Sequence, residues 1–188
     1  GNGIVDVLIE ISNDEFDSLN YDKGTMTLVE LEDQNNLLQR FSDREAALVS
    51  GGSVANSIIA AAQLGGKSAY ITRIGDDRYG LHYHSEFEGL GIALGGAPLV
   101  GKTTGTCVSL ITPDAERTMR THLGVAATLS DEHVTEELIA ASEWLVIEGY
   151  LLAVPEGQKA ALKAAEYAQK NNTKIALTTS GAFIIELF

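Results

Sequence analysis

Near its start the chain carries Ile4, Val5, Val7, Leu8, Ile9 and Ile11, a nearly continuous apolar run rich in β-branched residues, the pattern of a strand covered on both faces. A strand of that kind needs helices on either side of it, and the later segments supply them in alternation. Ser53 to Leu64, with Val54, Ile58, Ile59 and Ala62, reads as a buried helix ending at Gly65-Gly66, and Ser68 to Ile74 reads as a strand. Tyr79 to Phe87 reads as a helix stopped by Gly89. Ser130 is the expected N-cap of a helix from Asp131 to Ala141, followed by a strand from Trp144 to Ile147. A helix from Pro155 to Lys170 then leads through Asn171-Asn172 to a last strand, Lys174 to Thr178. Strands separated by helices imply parallel pairing through right-handed crossovers. The expected fold class is therefore α/β, a doubly wound, mainly parallel sheet with the first strand at its centre.

Two segments do not fit that layout. Residues 14–50 are more polar, with a strand around Thr25 to Val29, a helix from Asp33 to Phe41 and a short strand from Ala46 to Val49. Thr106 to Thr112 and Arg117 to His122 flank the turn Pro113-Asp114-Ala115-Glu116 as a hairpin whose strands alternate polar and apolar residues. These insertions, 14–50 and 95–125, are expected to build a small β lid on a single domain spanning residues 1–188.

Charge narrows the class of partner. Thirteen Lys and Arg against 26 Asp and Glu give a net charge of −13, a field that repels phosphate backbones and anionic lipid, so neither nucleic acid nor a membrane is an expected partner. The single Cys107 excludes an internal disulfide and a cysteine-rich zinc site. Nothing resembles a cleavable signal or an apolar span of about 20 residues, so a cytoplasmic location is the default. The chain begins with Gly1, and its last residues, Ala182 to Phe188, stop in mid-pattern, so both ends read as cut.

In open α/β sheets the ligand crevice lies at the carboxyl ends of strands, which directs attention to four loci. Asp6 interrupts the first apolar run, and a carboxylate among Ile4, Val5, Val7 and Leu8 needs a partner, either ligand hydroxyls or neighbouring backbone amides. Gly51-Gly52 removes two Cβ atoms at a strand-to-helix turn, with Asn56 about one turn into the helix, an arrangement that suits a polyhydroxylated ligand or simply a tight turn. Asp76 or Asp77, after the next strand, caps the helix that follows. Glu148 follows the strand Trp144 to Ile147.

Gly96 to Thr103 matches the phosphate-loop pattern G-x-x-x-x-G-K-T in full. That loop requires a helix behind it, whereas Thr103 to Ser109 is β-branched and Pro113 comes soon after, so a chance match leading into the hairpin is expected. Of His82, His84, His122 and His133, only the first two are close in sequence, and two positions apart on a helix they face different ways, so no metal site is expected.

The order of motifs carries more than any one of them. Gly1-Asn2-Gly3-Ile4-Val5-Asp6, the turn Gly51 to Asn56, the stretch Gly65 to Gly80, and Thr104-Gly105-Thr106-Cys107 with the hairpin to Arg120 resemble the ribokinase, or PfkB-type, family of carbohydrate and nucleoside kinases, its adenosine-kinase-like members in particular. The resemblance implies a ribokinase-like fold with a β lid, ATP and Mg2+ as cofactors, and transfer of the γ-phosphoryl group to a hydroxymethyl group of a sugar or nucleoside. It matches Asp6 to the aspartate that holds substrate hydroxyls and Gly51, Gly52 and Asn56 to the substrate-side turn, and it places Glu148 near a substrate-contacting side chain. The family's Gly-Ala-Gly-Asp and Asn-x-x-Glu motifs do not occur in these residues, so the catalytic and ATP-binding residues are expected beyond Phe188 and the chain alone is expected to be inactive. The alternatives are a non-catalytic sugar- or nucleoside-binding truncation and a P-loop NTPase using Lys102. A homodimer formed through the lid is open under either kinase-like reading.

Overall fold

The computed structural model describes residues 1–187, and Phe188, which closes the expected domain, lies outside them. In chain order the elements are β1 (Ile4–Glu10), α1 (Asn13–Asp17), β2 (Met26–Leu28), α2 (Leu31–Arg40), β3 (Ala47–Gly51), α3 (Ser53–Gln63), β4 (Ala69–Tyr70) and α4 (Arg78–Gly89). They continue with β5 (Ala93–Leu94), β6 (Gly105–Ile111), β7 (Arg117–His122), α5 (Glu136–Ala140), β8 (Trp144–Glu148), α6 (Pro155–Lys170), β9 (Lys174–Thr178) and α7 (Ala182–Leu187).

The α/β class stands, but β1 keeps different company from that expected. Its neighbours are β3, antiparallel, and β6, parallel, and the five-stranded sheet runs β2-β7-β6-β1-β3 with β6 and β7 antiparallel. The sheet is therefore mixed, and the segments expected as insertions pair directly onto the central strand. Parallel pairs of the expected kind are β4–β5 and β8–β9, whose strands are joined through α4 and α6. The physical reason lies in β1 itself. Val5, Val7 and Ile9 are buried, while Asp6 and Leu8 are only half-buried and Glu10 is exposed, so the strand alternates with period two as a half-covered sheet requires.

Two apolar clusters cover the odd face of β1. Val5 packs with Val54 and Ala55 of α3 and Tyr83 and Phe87 of α4, and Val7 and Ile9 pack with Phe16, Leu37, Phe41, Val108 and Leu110. A third cluster, under α6, uses Ala160, Ala164 and Ala168 at helical spacing against Leu129, Val134, Ile139 and Leu151. Gln34 fastens α2 to the sheet. Its side-chain amide donates to the carbonyls of Thr106 and Arg120, both at 3.0 Å, and its carbonyl accepts from the Thr106 hydroxyl.

Two further expectations are corrected. The strands of the hairpin do not both alternate, because Gly105 to Leu110 of β6 are all buried between β1 and β7. The helix expected from Asp131 to Ala141 is broken into a 3-10 turn, Asp131–His133, and α5, because Val134 takes an extended conformation and is drawn into the α6 cluster.

Candidate functional site

Asp6 stands in register with Val49 of β3 and Cys107 of β6, on the face of β1 opposite Val5 and Val7. Its side chain leans along β3 onto Gly51, where a Cβ would lie 2.7 Å from Asp6 Oδ2. Burial raises the Asp6 pKa above its ordinary value, the positive charge of Arg117 on β7 acts in the opposite sense, and the Cys107 thiol donates to the carboxylate. Cys107 is itself pushed up to about 12, chiefly by burial, so the thiol remains a protonated donor beside Asp6. Arg117 is exposed at the start of β7, opposite Ile111, and residue pattern alone carries no sign of its role because the register of the hairpin is not written in the sequence.

The turn after Gly51 is a close approach of backbones. Gly52 has φ +111°, and a Cβ there would meet the carbonyl oxygen of Asn2 at 2.4 Å, so a side chain there has to displace the Asn2 backbone just before β1. Gly52 is the N-cap of α3, no side chain caps that helix, and Asn56 is exposed in its first turn with its N–H bonded to Gly52 O at 3.1 Å. The helix start thus leaves amide donors beside Asp6 for a ligand to use. Beneath the turn, buried Tyr83 donates from its hydroxyl to Gly51 O at 3.3 Å and stacks on Phe87 with ring centroids 4.3 Å apart. Burial, with the charges of Glu148, Glu86 and Asp6 around it, holds the Tyr83 phenol protonated. Its spacing of four residues from Phe87 was the sequence signal for this buried support.

The structure therefore brings Asp6, Gly51 and Gly52 together, with Asn56 one turn into α3. Glu148 is joined to this group through Asn2. At the end of β8 it is 2% exposed, its Oε2 accepts the Asn2 N–H at 2.8 Å, and burial raises its pKa.

The loop of Gly96 to Thr103 is not a phosphate cradle. Strand β6 follows it in place of a helix, and the Gly101 N–H is held by Asp76 Oδ1 at 2.8 Å. The P-loop alternative built on Lys102 is corrected accordingly. Asp77 caps α4 through the Gly80 N–H at 2.9 Å and also accepts from the buried Thr104, so this aspartate pair ties the loop to the helix. Among the described residues no group of three or more His, Cys, Asp or Glu side chains is placed to hold a metal ion. Among them, too, no helix is long and apolar enough to cross a membrane.

Fold and site together define an α/β domain whose first strand carries a desolvated acid between a glycine turn and a mixed β-sheet. The profile of the pfkB family of carbohydrate kinases matches residues 21–184, and the chain belongs to that family. It is 30% identical over 129 residues to the 5-dehydro-2-deoxygluconokinase of Clostridium tetani, an alignment covering 66% of this chain and 38% of that protein. It is 33% identical over 132 residues to the enzyme of that name from Listeria monocytogenes, covering 67% of this chain and 40% of the relative. The crystal structure of adenosine kinase from Sinorhizobium meliloti superposes on all of this chain with a TM-score of 0.90 at 30% identity, over 57% of its own length. Adenosine kinase from Trypanosoma brucei brucei does so with a TM-score of 0.85 at 25% identity, over 58% of its length. The fold is thus the ribokinase-like α/β fold of these kinases, and the chain spans about two-fifths of the curated relatives.

Proposed function

We propose that this chain forms the acceptor-binding side of an ATP-dependent kinase that phosphorylates a hydroxymethyl group of a sugar or nucleoside. In this proposal the chain is the N-terminal portion of one ribokinase-like domain in a cytoplasmic enzyme. The observation that carries the reading is the placement of a desolvated carboxylate, Asp6, against Gly51 and beside the uncapped start of α3. An ionised Asp6 accepts hydrogen bonds from two vicinal hydroxyls, which offset the hydration lost on partial burial. Gly51 lets the Asp6 carboxylate lie against the turn, the first amides of α3 donate to oxygens of the acceptor, and Asn56 offers both a donor and an acceptor. The sheet carrying residues 14–50 and 95–125 acts as a lid that excludes water over the acceptor. Its outer strands are also the surface through which a homodimer would form.

The described residues do not fit the nucleotide or its metal. The amide of Gly101 is occupied by Asp76, and no carboxylate cluster offers a Mg2+ site. ATP and Mg2+ are therefore assigned to residues other than these, and the role of this part of the molecule is to bind and orient the acceptor.

Calorimetric titration with adenosine and with 5-dehydro-2-deoxygluconate tests the reading. Saturable binding of one of them, weakened about tenfold or more by Asp6→Asn, is expected. A folded chain that binds neither would overturn it. Binding without any ATP-dependent phosphorylated product from the complete polypeptide would reduce the reading to a non-catalytic binding module.

A further inference from the structure

We propose that Glu148 is a positioning residue: from the end of β8 it holds the backbone of Asn2, and through Asn2 it fixes the Gly51-Gly52 turn on which Asp6 rests. The inference rests on the ligand-binding reading of Asp6 and that turn.

Asn2 is gripped from two sides. Its N–H donates to Glu148 Oε2 at 2.8 Å, and its carbonyl oxygen lies so close to Gly52 that a Cβ there would be 2.4 Å away. Both partners of the hydrogen bond are out of water, Glu148 at 2% and Asn2 at 6% exposure. The next residue along the turn, Gly51, is the one that abuts the Asp6 carboxylate. The contacts therefore run without a gap from Glu148 to Asn2, to Gly52 and Gly51, and to Asp6.

Strand pairing does not provide this link. β8 pairs only with β9 among the described strands, and β1 pairs with β3 and β6. The residues on either side of Asn2 are held from the β4 side, Gly1 by Ile71 O at 2.9 Å and Gly3 by Thr72 Oγ1 at 2.7 Å. The Glu148 side chain joins the end of β8 to Asn2 itself, where it needs an acceptor at its tip because the N–H it meets is buried. An apolar side chain of equal length would fill the space and leave that N–H without a partner. A carboxylate bonded to a backbone N–H is also a short, directional tether, which suits a group whose task is to hold another in place. Burial favours the neutral form of Glu148, and the charge of the Gly1 ammonium and then the Asn2 N–H act against it, so the tether is one of the interactions that favour the carboxylate form.

The test uses polypeptide carrying residues 1–188, titrated with adenosine and with 5-dehydro-2-deoxygluconate, with melting followed in parallel. Glu148→Ala is expected to weaken binding of the ligand that the parent takes by about tenfold in protein that is folded at the assay temperature. Glu148→Gln keeps an acceptor for Asn2 and is expected to recover affinity to within about threefold of the parent, whereas Glu148→Met fills the same space without an acceptor and is expected to lose affinity as alanine does; parent affinity in folded Glu148→Met would overturn the proposal. Parent affinity in folded Glu148→Ala, or equal loss in Glu148→Ala and Glu148→Gln, would overturn the proposal and leave the Asp6 reading standing. Should Glu148→Ala not fold, Glu148→Asp replaces it: the shortened side chain is expected to lose affinity as alanine would, and parent affinity there overturns the proposal. If the folded parent binds neither ligand, the reading of the site falls and this inference falls with it.

Discussion

Asp6 and Gly51 are in van der Waals contact across β1 and β3, with Asp6 Oδ2 2.7 Å from the point where a Cβ on residue 51 would stand. The adjacent Gly52 is confined differently, by backbone on one side and by φ +111°. The two glycines should therefore separate on substitution. Gly51→Ala meets the movable end of a side chain, so it is expected to lower stability by only about 1 kcal/mol while displacing the carboxylate and weakening ligand binding at least tenfold, as a rough figure. Gly52→Ala meets the Asn2 carbonyl and a strained φ, and a larger loss of about 2–3 kcal/mol is expected from both causes together. Urea unfolding and calorimetry on the two variants check the contrast, and equal effects on stability would contradict it.

Burial raises the pKa of both Asp6 and Glu148, so in the folded chain each binds its proton more tightly than in the unfolded chain. The sign follows from linkage. Each group favours the fold at low pH and loses that contribution as pH rises from the ordinary carboxyl value through the raised one. Asp6→Asn removes one such group. Relative to the parent it should gain stability as pH rises above about 3.8, with the gain complete once Asp6 would be ionised in the fold. Urea midpoints for parent and variant across that range provide the check, and a difference that does not change with pH would contradict it.

Much of this architecture was legible from residue patterns because helices and strands declare themselves locally. α3, α4 and α6 show apolar spacing, and the glycines after Leu64 and the proline at residue 155 mark their ends. Partnership between strands is a non-local property, and there the reading fell short. The run Ile4 to Ile11, broken only by Asp6 and Glu10, reads as covered on both faces, yet Leu8 is placed on the open face with Asp6, and only pairing with β3 and β6 decides that. At the site, Asp6, Gly51 and Gly52 could be singled out because a buried charge and a glycine doublet are locally anomalous. Tyr83 showed only helical spacing to Phe87 and Arg117 only a place on a hairpin, both ordinary until the fold sets the Tyr83 hydroxyl on Gly51 O and lets the Arg117 charge act on Asp6.

Gln34 is 1% exposed and forms three hydrogen bonds with Thr106 and Arg120, so α2 is joined to the sheet by a fully satisfied polar group. Gln34→Ala leaves the Thr106 hydroxyl and two carbonyls with fewer partners and opens a cavity. A loss of about 2–4 kcal/mol is expected in chemical denaturation. Gln34→Glu should be similarly harmful, because a carboxylate facing two carbonyls cannot donate to either.

Lys102 and Thr103 complete a phosphate-loop pattern in sequence, yet Asp76 already holds the Gly101 amide and β6 begins at Gly105. Lys102→Ala is therefore expected to change stability by less than about 0.5 kcal/mol and to leave any nucleotide affinity of the chain unaltered. A fluorescent ATP analogue titrated against parent and variant reads this directly. A large loss on Lys102→Ala would restore the loop as a nucleotide site.

Glu15 and Arg44 close the end of β1 over α1. Glu15 Oε1 lies 2.6 Å from Arg44 Nη2, its Oε2 accepts the Ser12 N–H at 2.7 Å, and Arg44 Nη1 donates to Glu10 O at 2.8 Å. Arg44 first, then the Ser12 amide and hydroxyl, hold the Glu15 pKa down to about 2. A depressed carboxyl stabilises the fold above its unfolded pKa and ceases to do so as pH falls through the folded one. The contribution of this pair should thus be complete above about pH 4.5 and disappear toward about pH 2. Glu15→Gln keeps an acceptor for Ser12 and discards the charge, so parent and variant should differ in melting temperature at neutral pH and converge in acid. Because both side chains are partly exposed, added salt should narrow the gap as well. A difference that persists unchanged into acid would assign the stabilisation to the helix cap at Ser12 rather than to the ion pair.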